Sequence, residues 1–421
     1  MTHYDVYAIG NALVDSEYEV TDAQLQAMKV EKRHMTLIDT PRRAELLAHV
    51  KGIHSRKSGG GSAGNTIVAV AQLGGRAFYS CRVVNDELGQ FYVADLQSNG
   101  VASNLTPGNL AVLGGMGQTG DCMVMVTPDA ERSMSTFLGA TAELDHTALD
   151  PIALASAKVY YMEGYLAASP TGLDAALKGR AIAQRASVKL ATTLSDMSMI
   201  NFCRPGLEAM IGSGVDYLFC NEEEAQVWCN SKDLDANCAQ LAKRARTVCL
   251  TRGAKGCLVL EGGQSTAVPA AHVVAKDTNG AGDMFAGAFL YAVTHGHSHA
   301  QAAWLANQAA GRVVTQYGNR LSLDVMAEIK ATRPEPISRK QAIGLFEEID
   351  AVRVVETAME ELKHPLLTGQ STPAEVLVVQ FDAVRLGDYQ RIARQLRVGG
   401  IAVEVYPDAK KVGVQLAYAE K

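Results

Sequence analysis

The sequence lacks several features that would place it in a common class of protein. Its eight cysteines include no CxxC pair, and none has a histidine at zinc-finger spacing. The net charge of −6 is not the basic excess typical of proteins that bind nucleic acid or membranes. No apolar run is long enough to span a bilayer, and the first residues do not form a signal peptide. We therefore expect a cytoplasmic chain whose cysteines are reduced thiols in the core.

The sequence also lacks a GxxxxGK[ST] loop, which excludes that class of phosphate binder. What it contains is an alternation of strand and helix patterns, with a strand at 4–10, a helix at 62–73 and a longer alternating series from residue 157. Such alternation predicts a parallel, doubly wound sheet. Two β-rich segments, 12–40 and 110–138, interrupt this rhythm without a helix between their strands, and they predict a small separate sheet.

The most specific motif is the string DTNGAGD at 277–283, which is followed by MFAG and an apolar, periodic helix. Its small residues permit close backbone approach at a helix start, where unpaired N–H groups bind anions such as phosphate. Asp283 falls just inside the first turn, where a carboxylate can take a proton from an attacking hydroxyl. The alternative is that Asp283 only stabilises the helix start, which an isolated GAGD would favour.

This string resembles the C-terminal signature of the ribokinase-like (PfkB-type) kinase family, and the resemblance extends over residues 4–332. A second motif of that family is GGGSAGN at 59–65, which by itself would equally fit a flexible glycine-rich turn. The resemblance implies a three-layer α/β/α sandwich with a β-sheet lid built from 12–40 and 110–138. It also implies an ATP-dependent kinase that phosphorylates a hydroxymethyl group, with Asp283 as the base. One departure is Asn279, where the family more commonly has threonine.

The resemblance assigns a set of residues to the acceptor, namely Asn11, Asp15, Gly60, Gly61 and Asn65. Asp15 matches an aspartate that binds the ribose 2′ and 3′ hydroxyls in adenosine-kinase-like members. A carboxylate that accepts two vicinal hydroxyls is chemically sensible. The alternative is a turn aspartate without a ligand.

A second implied set acts on the transferred phosphate. The backbone of Gly280, Ala281 and Gly282 is expected to hold it beside Asp283. Arg132, in the sequence DAERSM, matches the lid arginine that neutralises its charge. The alternative for Arg132 is an ordinary surface hairpin residue.

A third implied set contacts ATP and Mg²⁺. In the family's NxxE element, Asn221 belongs to the nucleotide site and Glu224 helps to place Mg²⁺, usually through water. Equally, Asn221 is a suitable N-cap for a helix with an acidic first turn. The turn TRGAKG supplies Thr251, Gly253 and Gly256, with Arg252 where an apolar residue is usual. Asn307 matches a position near the adenine, or is an ordinary helix residue.

Among acceptors, the GNALVD and GGGSAGN forms resemble the adenosine-kinase-like branch, which implies adenosine and a place in purine salvage. The alternatives are a sugar kinase of the ribokinase or fructokinase type and, in another class, a non-catalytic or tRNA-related binding protein. The expected partner is a small nucleoside or sugar, with neither membrane nor nucleic acid. Whether the chain forms a homo-oligomer or needs a monovalent cation stays open.

The C-terminal part predicts a separate small domain. Residues 333–336 (RPEP) fit a linker, because paired prolines disfavour a continuing helix. The segment 337–421 shows an α/β pattern, with strands at 375–381 and 401–407, and resembles part of the anticodon-binding region of histidyl-tRNA synthetases. Its eleven Lys and Arg against twelve Asp and Glu do not provide the basic surface that RNA binding requires. We therefore favour an appendage for packing or oligomerisation.

Overall fold

The computed structural model describes residues 3–32, 34–129 and 131–332, together with the backbone of 376–378 and 403–405. The chain divides into two compact units, one of residues 1–263 and 269–330 and the other of residues 264–268 and 331–421. The proposed linker at 333–336 and most of the segment 337–421 lie outside the described residues.

Strands and helices alternate along the first unit as the sequence predicts. Its strands are β1 (Tyr4–Ile9), β2 (Leu13–Glu19), β3 (Met35–Leu37), β4 (Ser55–Gly60), β5 (Ala77–Ser80), β6 (Val101–Ser103), β7 (Gly120–Val126), β8 (Arg132–Phe137), β9 (Ala157–Met162), β10 (Lys189–Thr193), β11 (Val215–Asn221), β12 (Ala245–Thr251) and β13 (Cys257–Glu261). Its helices are α1 (Asp22–Ala27), α2 (Thr40–His49), α3 (Ser62–Gln72), α4 (Glu87–Ser98), α5 (Leu110–Leu113), α6 (Pro151–Ala155), α7 (Pro170–Arg185), α8 (Met197–Ile211), α9 (Glu222–Cys229), α10 (Leu234–Leu241), α11 (Ala281–Thr294), α12 (His299–Val313) and α13 (Leu323–Ala331).

Eight strands of this unit form the main sheet, in the order β13-β12-β11-β10-β9-β1-β5-β6. All neighbours are parallel except β12 and β13, which are antiparallel. The central strands are almost continuously apolar, as expected when helices cover both faces of a parallel sheet. The fold is therefore the predicted three-layer α/β/α sandwich.

A second sheet of five strands has the order β3-β8-β7-β2-β4. It contains the two β-rich segments that the sequence singles out, but it also includes β4, which ends in the first two glycines of GGGSAGN. The expectation of β structure without helices is wrong, because α1 and α5 lie within those segments. The side chain of Thr21 caps α1 in a capping box. Helices α1 and α2 contribute Leu25 and Leu46 to an apolar cluster with Met123 and Met125 of β7.

All eight cysteines are free in the structure. Five of them are buried, and the other three are partly exposed. Among the described residues, no helix is both long and apolar enough to cross a membrane. In the second unit, the strands β14 (Gln264–Val268), β15 (Val376–Val378) and β16 (Val403–Val405) are described. The last two pair in parallel, which confirms a strand in each of the two predicted segments.

Candidate active site

Asp283 lies in the first turn of α11, where Gly280 is the N-cap residue with φ of +77°. A Cβ atom on Gly280 would stand 2.8 Å from the Cβ of Asn319, so both backbone conformation and space require glycine. The Asp283 carboxylate accepts hydrogen bonds from Ser62 Oγ at 2.6 Å and from Asn65 Nδ2 at 3.1 Å. Both donors belong to the first turn of α3, so the N-termini of two helices meet at this carboxylate.

The last glycine of DTNGAGDMFAG explains how the two helices come so close. A Cβ atom on Gly287 would stand 2.4 Å from the carbonyl oxygen of Thr66 and 2.7 Å from the Cβ of Ala69. Any larger residue would push α11 away from α3. The motif therefore specifies the helix contact as well as the helix start.

The electrostatics of Asp283 suit a base that works near neutral pH. Burial raises the pKa of its carboxyl group to about 6, and the hydrogen bonds from Ser62 and Asn65 and the charge of Arg320 oppose that rise. A carboxylate with this pKa is ionised at pH 7 and still accepts a proton more readily than an ordinary aspartate.

The first three glycines of GGGSAGN each make room for a different part of the site. A Cβ atom on Gly59 would stand 2.3 Å from Asp95 Oδ2, and one on Gly60 would stand 2.5 Å from Asp15 Oδ1. Gly61 has φ of +83°, and a Cβ atom there would stand 2.1 Å from the carbonyl oxygen of Asn11. The turn therefore requires glycine at these positions for steric reasons, and is not merely flexible.

Asp15 lies on β2, next to Gly60 and close to Asp283. Its Oδ2 accepts a hydrogen bond from Asn319 Nδ2 at 3.2 Å. Burial raises the pKa of Asp15 to about 6; the charges of Arg320 and Arg132 lower it, and the charge of Asp283 raises it further. The structure thus brings Asp15 and Asp283 together, as the sequence predicts for one acceptor site.

Asn11 is held by a residue that the sequence reasoning missed. Glu163, at the carboxyl end of β9, is fully buried and accepts hydrogen bonds from Asn11 Nδ2 at 2.8 Å and from the Ala63 backbone N–H at 2.7 Å. Burial raises the pKa of Glu163 to about 7. The only sequence clue was an acidic residue directly after an otherwise apolar strand.

Asn65 is also held by a residue that no motif indicates. Arg320, in the segment after α12, donates its Nε–H to Asn65 Oδ1 at 3.1 Å and forms an ion pair with Asp95 of α4. The side chain of Asn65, predicted to hold the acceptor, therefore connects this arginine to the Asp283 carboxylate.

Arg132 lies at the start of β8, as predicted for a lid arginine. One of its nitrogens pairs with Asp277, the first residue of DTNGAGD, and Nη2 lies 3.3 Å from Glu17 Oε1. The structure thus brings the arginine to the DTNGAGD motif, where it pairs with carboxylates of the protein.

The nucleotide set clusters at the carboxyl ends of β11 and β12. Asn221 and Thr251 are direct partners in the parallel pairing of these strands. Thr251 donates to the carbonyl oxygen of Cys220 at 3.5 Å, and the following turn contains Gly253 with φ of +56° and Gly256 with φ of +82°.

Arg252 and Asn307 both interact with other residues of the protein, one through an ion pair and the other through hydrogen bonds. Arg252 pairs with Glu222 at 3.3 Å, so its partner is a side chain of the first turn of α9. Asn307 is buried on α12 and donates to the carbonyl oxygen of Pro269 at 2.9 Å and to Cys257 Sγ at 3.5 Å. It therefore lies beside the turn that ends at Gly256.

Asn221 is the N-cap of α9 and forms a capping box with Glu224, as one interpretation of the sequence predicted. The Glu224 carboxylate accepts from Asn221 Nδ2 at 2.6 Å, and Asn221 Oδ1 accepts from the Glu224 backbone N–H at 2.7 Å. Burial raises the pKa of Glu224 to about 7, and the charge of Asp196 adds to the rise.

The same residues fit magnesium held together with a substrate. Among the described residues, no group of three or more His, Cys, Asp or Glu could hold a metal by itself. Mg²⁺ usually keeps several waters and binds through one or two carboxylates plus substrate phosphates, which matches a single acidic residue such as Glu224.

Tyr165 is linked to residues of both the acceptor set and the nucleotide set. Its hydroxyl donates to Asp196 Oδ2 at 2.8 Å, and Asp196 in turn raises the pKa of Glu224. The charges of Asp283 and Glu163 contribute to the raised pKa of the Tyr165 hydroxyl. The acceptor and nucleotide sets therefore share one electrostatic environment at the carboxyl edge of the sheet, where ligands of open α/β sheets bind.

A helix N-terminus beside a half-buried carboxylate, in a three-layer sandwich with a small second sheet, defines a kinase of the ribokinase-like fold. Residues 31–326 match the family described as pfkB family carbohydrate kinase. The chain belongs to this family.

Solved structures agree with this assignment. Adenosine kinase from Sinorhizobium meliloti is 36% identical, with a TM-score of 0.70 over 78% of this chain and all of that chain. A probable sugar kinase from Rhizobium etli is 36% identical, with a TM-score of 0.69 over 78% of this chain and 98% of that one. Adenosine kinase from Schizophyllum commune is 26% identical over 327 residues, which cover 70% of this chain and 90% of that protein. These relatives support the adenosine-kinase-like branch.

A shorter similarity concerns a different protein. Histidine–tRNA ligase from Rhodopirellula baltica is 52% identical over 54 residues, which cover 13% of this chain and 12% of that protein. The likeness is thus small and partial.

Proposed function

We propose that this kinase transfers the γ-phosphoryl group of ATP to the hydroxymethyl group of a nucleoside, with adenosine as the first candidate. The observation that carries the proposal is Asp283, held at the N-terminus of α11 by Ser62 and Asn65. Asp15, the predicted partner of vicinal ribose hydroxyls, is close enough for the charge of Asp283 to raise its pKa.

In the proposed reaction, Asp283 takes the proton of the acceptor hydroxyl while that oxygen attacks the γ-phosphorus. The bond from the γ-phosphorus to the β–γ bridging oxygen breaks, and ADP leaves. The N–H groups from Gly280 to Asp283, at the start of α11, would hold the transferring phosphoryl group. In the structure the Ala281 N–H donates to the carbonyl oxygen of Thr278 at 3.3 Å, and it would exchange this partner for the phosphoryl group. Arg132 exchanges Asp277 for this phosphoryl group and balances its charge.

ATP is placed at the carboxyl ends of β11 and β12, against Asn221, Thr251, Gly253, Gly256 and Asn307. Glu224 would hold Mg²⁺ through water. The ion would neutralise charge on the phosphates, as in other phosphoryl transfers.

Adenosine is the first candidate because Asp15 and Asn65, which the resemblance assigns to the acceptor, both interact with Asp283, and because two of the relatives named above are adenosine kinases. Sugars are the second candidate. The observation in their favour is the neighbour from Rhizobium etli, a probable sugar kinase of equal identity.

The experiment measures ATP-dependent phosphorylation of adenosine, other nucleosides, ribose and fructose by the purified protein. We expect Asp283→Asn to lower kcat by about 10²–10⁴-fold, because it keeps the shape and loses the basicity. In the wild type, kcat/KM should fall as the pH drops through about 6, where Asp283 becomes protonated. Asp235→Asn is the matched control, because Asp235 is an exposed acidic residue in the first turn of α10.

Several results would contradict the proposal. A near-wild-type kcat in Asp283→Asn would show that Asp283 is not the base. If Asp235→Asn lost as much activity as Asp283→Asn, the role of Asp283 would be reduced to helix stabilisation. The acceptor is tested by Asp15→Ala, which should raise the KM for adenosine and discriminate less against 2′-deoxyadenosine than the wild type does. Efficient use of ribose or fructose without adenosine would favour the sugar kinase.

A further inference from the structure

Arg320 combines three features that no sequence motif indicates. Its side chain is only 11% exposed, its Nη1 pairs with Asp95, and its Nε donates to Asn65 Oδ1 at 3.1 Å. Its third nitrogen, Nη2, is buried and has no hydrogen-bond partner. Burying a guanidinium with an unpaired donor is costly, so its position calls for a compensating role.

The hydrogen bonds around Asn65 permit only one orientation of its amide. Arg320 Nε is solely a donor, so the atom that faces it must be the amide oxygen. The ionised Asp283 carboxylate is solely an acceptor, so the atom that faces it must be the amide nitrogen, and Asn65 Nδ2 lies 3.1 Å from Oδ2. Without the arginine, the amide oxygen would lose this donor, and the single hydrogen bond to Asp283 would be left to hold the amide.

We propose that Arg320 is a positioning residue for phosphoryl transfer, which acts by holding the Asn65 amide with its nitrogen toward Asp283. The inference rests on the proposed role of Asp283 as the base. It adds a function for the segment after α12, whose preceding residue, Asn319, donates to Asp15. Two consecutive residues thus contact two of the side chains predicted to bind the acceptor, Asp15 and Asn65.

The surroundings support this role. Gly59 leaves space for the guanidinium, since a Cβ atom there would stand 2.8 Å from Arg320 Nη1 and 2.3 Å from Asp95 Oδ2. The backbone of Arg320 is fixed by Gln316 Nε2, which donates to its carbonyl oxygen at 2.9 Å. The arginine is therefore anchored by Asp95 of α4, by Asn65 of α3 and by its own segment through Gln316.

The charge of Arg320 has a second consequence, because it lowers the pKa of Asp283 against the effect of burial. Other ionisable groups also interact electrostatically with Asp283, from β2, from β9 and from the turn that follows β9, namely Asp15, Tyr161, Glu163 and Tyr165. Asp95 pairs with the arginine from α4. Since Asp15 and Glu163 are acidic, the guanidinium is the basic group that opposes them at this carboxylate.

The test compares Arg320→Met with the matched control Arg312→Met, an exposed arginine of α12 paired with Glu328 on the surface. We expect Arg320→Met to lower kcat by about 10–100-fold with little change in KM, because the base is misoriented. The acidic limb of the kcat/KM profile should move to higher pH by about one unit, the effect of losing one nearby positive charge. The control should match the wild type in both respects.

A direct titration separates this inference from the proposed function. The pKa of Asp283 is measured by ¹³C NMR of its carboxyl carbon, assigned by the loss of its resonance in Asp283→Asn. It should rise in Arg320→Met whichever acceptor the enzyme uses, and an unchanged value would overturn the inference. Absence of phosphorylation of every acceptor by the wild type would instead overturn the proposed function.

If Arg320→Met does not fold, the inference is tested with Arg320→Lys and a double-mutant cycle. Lysine keeps the charge but cannot donate to Asn65 and Asp95 in the same way, so the pKa of Asp283 should stay near the wild-type value while kcat falls. Asn65→Ala combined with Arg320→Lys should be little slower than Asn65→Ala alone, because both act through one contact. Additive losses, or a wild-type kcat in Arg320→Lys, would contradict the positioning role.

Discussion

Glu163 shows how much of the site depends on a single buried carboxylate. One oxygen accepts from the backbone and side chain of Asn11, and the other accepts from the backbone of Ala63. This residue thereby ties the end of β1 to the start of α3. The two segments carry most of the predicted acceptor residues, so Glu163 supports the site without belonging to any recognised motif.

The raised pKa of Glu163 makes a prediction about stability and pH. The folded protein binds this proton more tightly than the unfolded chain, because the pKa rises from 4.5 to about 7. Folding stability from this group is therefore greatest below pH 4.5 and is lost as the pH rises through about 7, by up to roughly 3 kcal/mol. In Glu163→Gln, the Tm should fall less between pH 5 and pH 8 than it does in the wild type.

The control for this prediction is Glu208→Gln, at an exposed glutamate of α8. Its Tm should follow the wild type at each pH. If the Tm of Glu163→Gln ran parallel to that of the wild type across the range, the buried glutamate would not titrate as the structure indicates.

At the scale of elements, the turn between β4 and α3 connects the five-stranded sheet to α11. Strand β4 pairs with β2 in that sheet, and α3 packs against α11. Any displacement of this turn would move Asp15, on β2, relative to Asp283, on α11. We therefore expect the conformation of the turn to matter for the proposed catalysis as well as for folding.

A pair of glycines tests this requirement. Gly61 and Gly52 have similar φ values of +83° and +86°, but a Cβ atom on Gly61 would meet the carbonyl oxygen of Asn11, whereas one on Gly52 would have nothing within 4 Å. We expect Gly52→Ala to cost about 1 kcal/mol of stability, from backbone strain alone, and to keep full activity. Gly61→Ala should lose at least about 10-fold in kcat/KM and be destabilised further by the clash.

Urea unfolding and steady-state kinetics of the two variants check this expectation. Equal stability losses would mean that the backbone of Asn11 moves aside without cost. Full activity in Gly61→Ala would show that the turn does not position the acceptor site.

On the scale of the whole molecule, we propose that the kinase domain ends near Thr332 and that residues 337–421 form a separate segment. The predicted site residues all precede Arg333. The first compact unit ends at residue 330, close to the proposed boundary. Nothing in the chemistry of the site therefore calls on the C-terminal segment.

A chain that ends at Thr332 should keep kinase activity, with some loss of thermal stability. The full chain should not bind tRNA appreciably at moderate salt, because the nearly balanced charges of 337–421 lack the electrostatic attraction that dominates RNA affinity. Kinase assays of both chains, and tRNA binding measured across a salt series, check this. A folded but inactive shortened chain, or tight and salt-resistant tRNA binding, would contradict it.

The sequence by itself determined the features whose causes lie within a few residues along the chain. Strand and helix alternation gave the parallel sheet, and the small residues around Asp283 predicted a carboxylate at a helix start. The glycines before α3 were likewise identified as a turn that leads into a helix. Caps, positive φ angles and hydrophobic periodicity are local properties, so they can be read without knowledge of the fold.

Only the tertiary structure decided which distant side chains meet. Arg320 and Asn65 are 255 positions apart, and Asn319 and Asp15 are 304 apart. Their contacts depend on how the helices pack against the sheets, and one arginine in a polar segment looks like any other in a sequence. The same holds for β4, whose lysine, arginine and glycines gave no strand signal, and which is a strand because β2 supplies its hydrogen-bond partners.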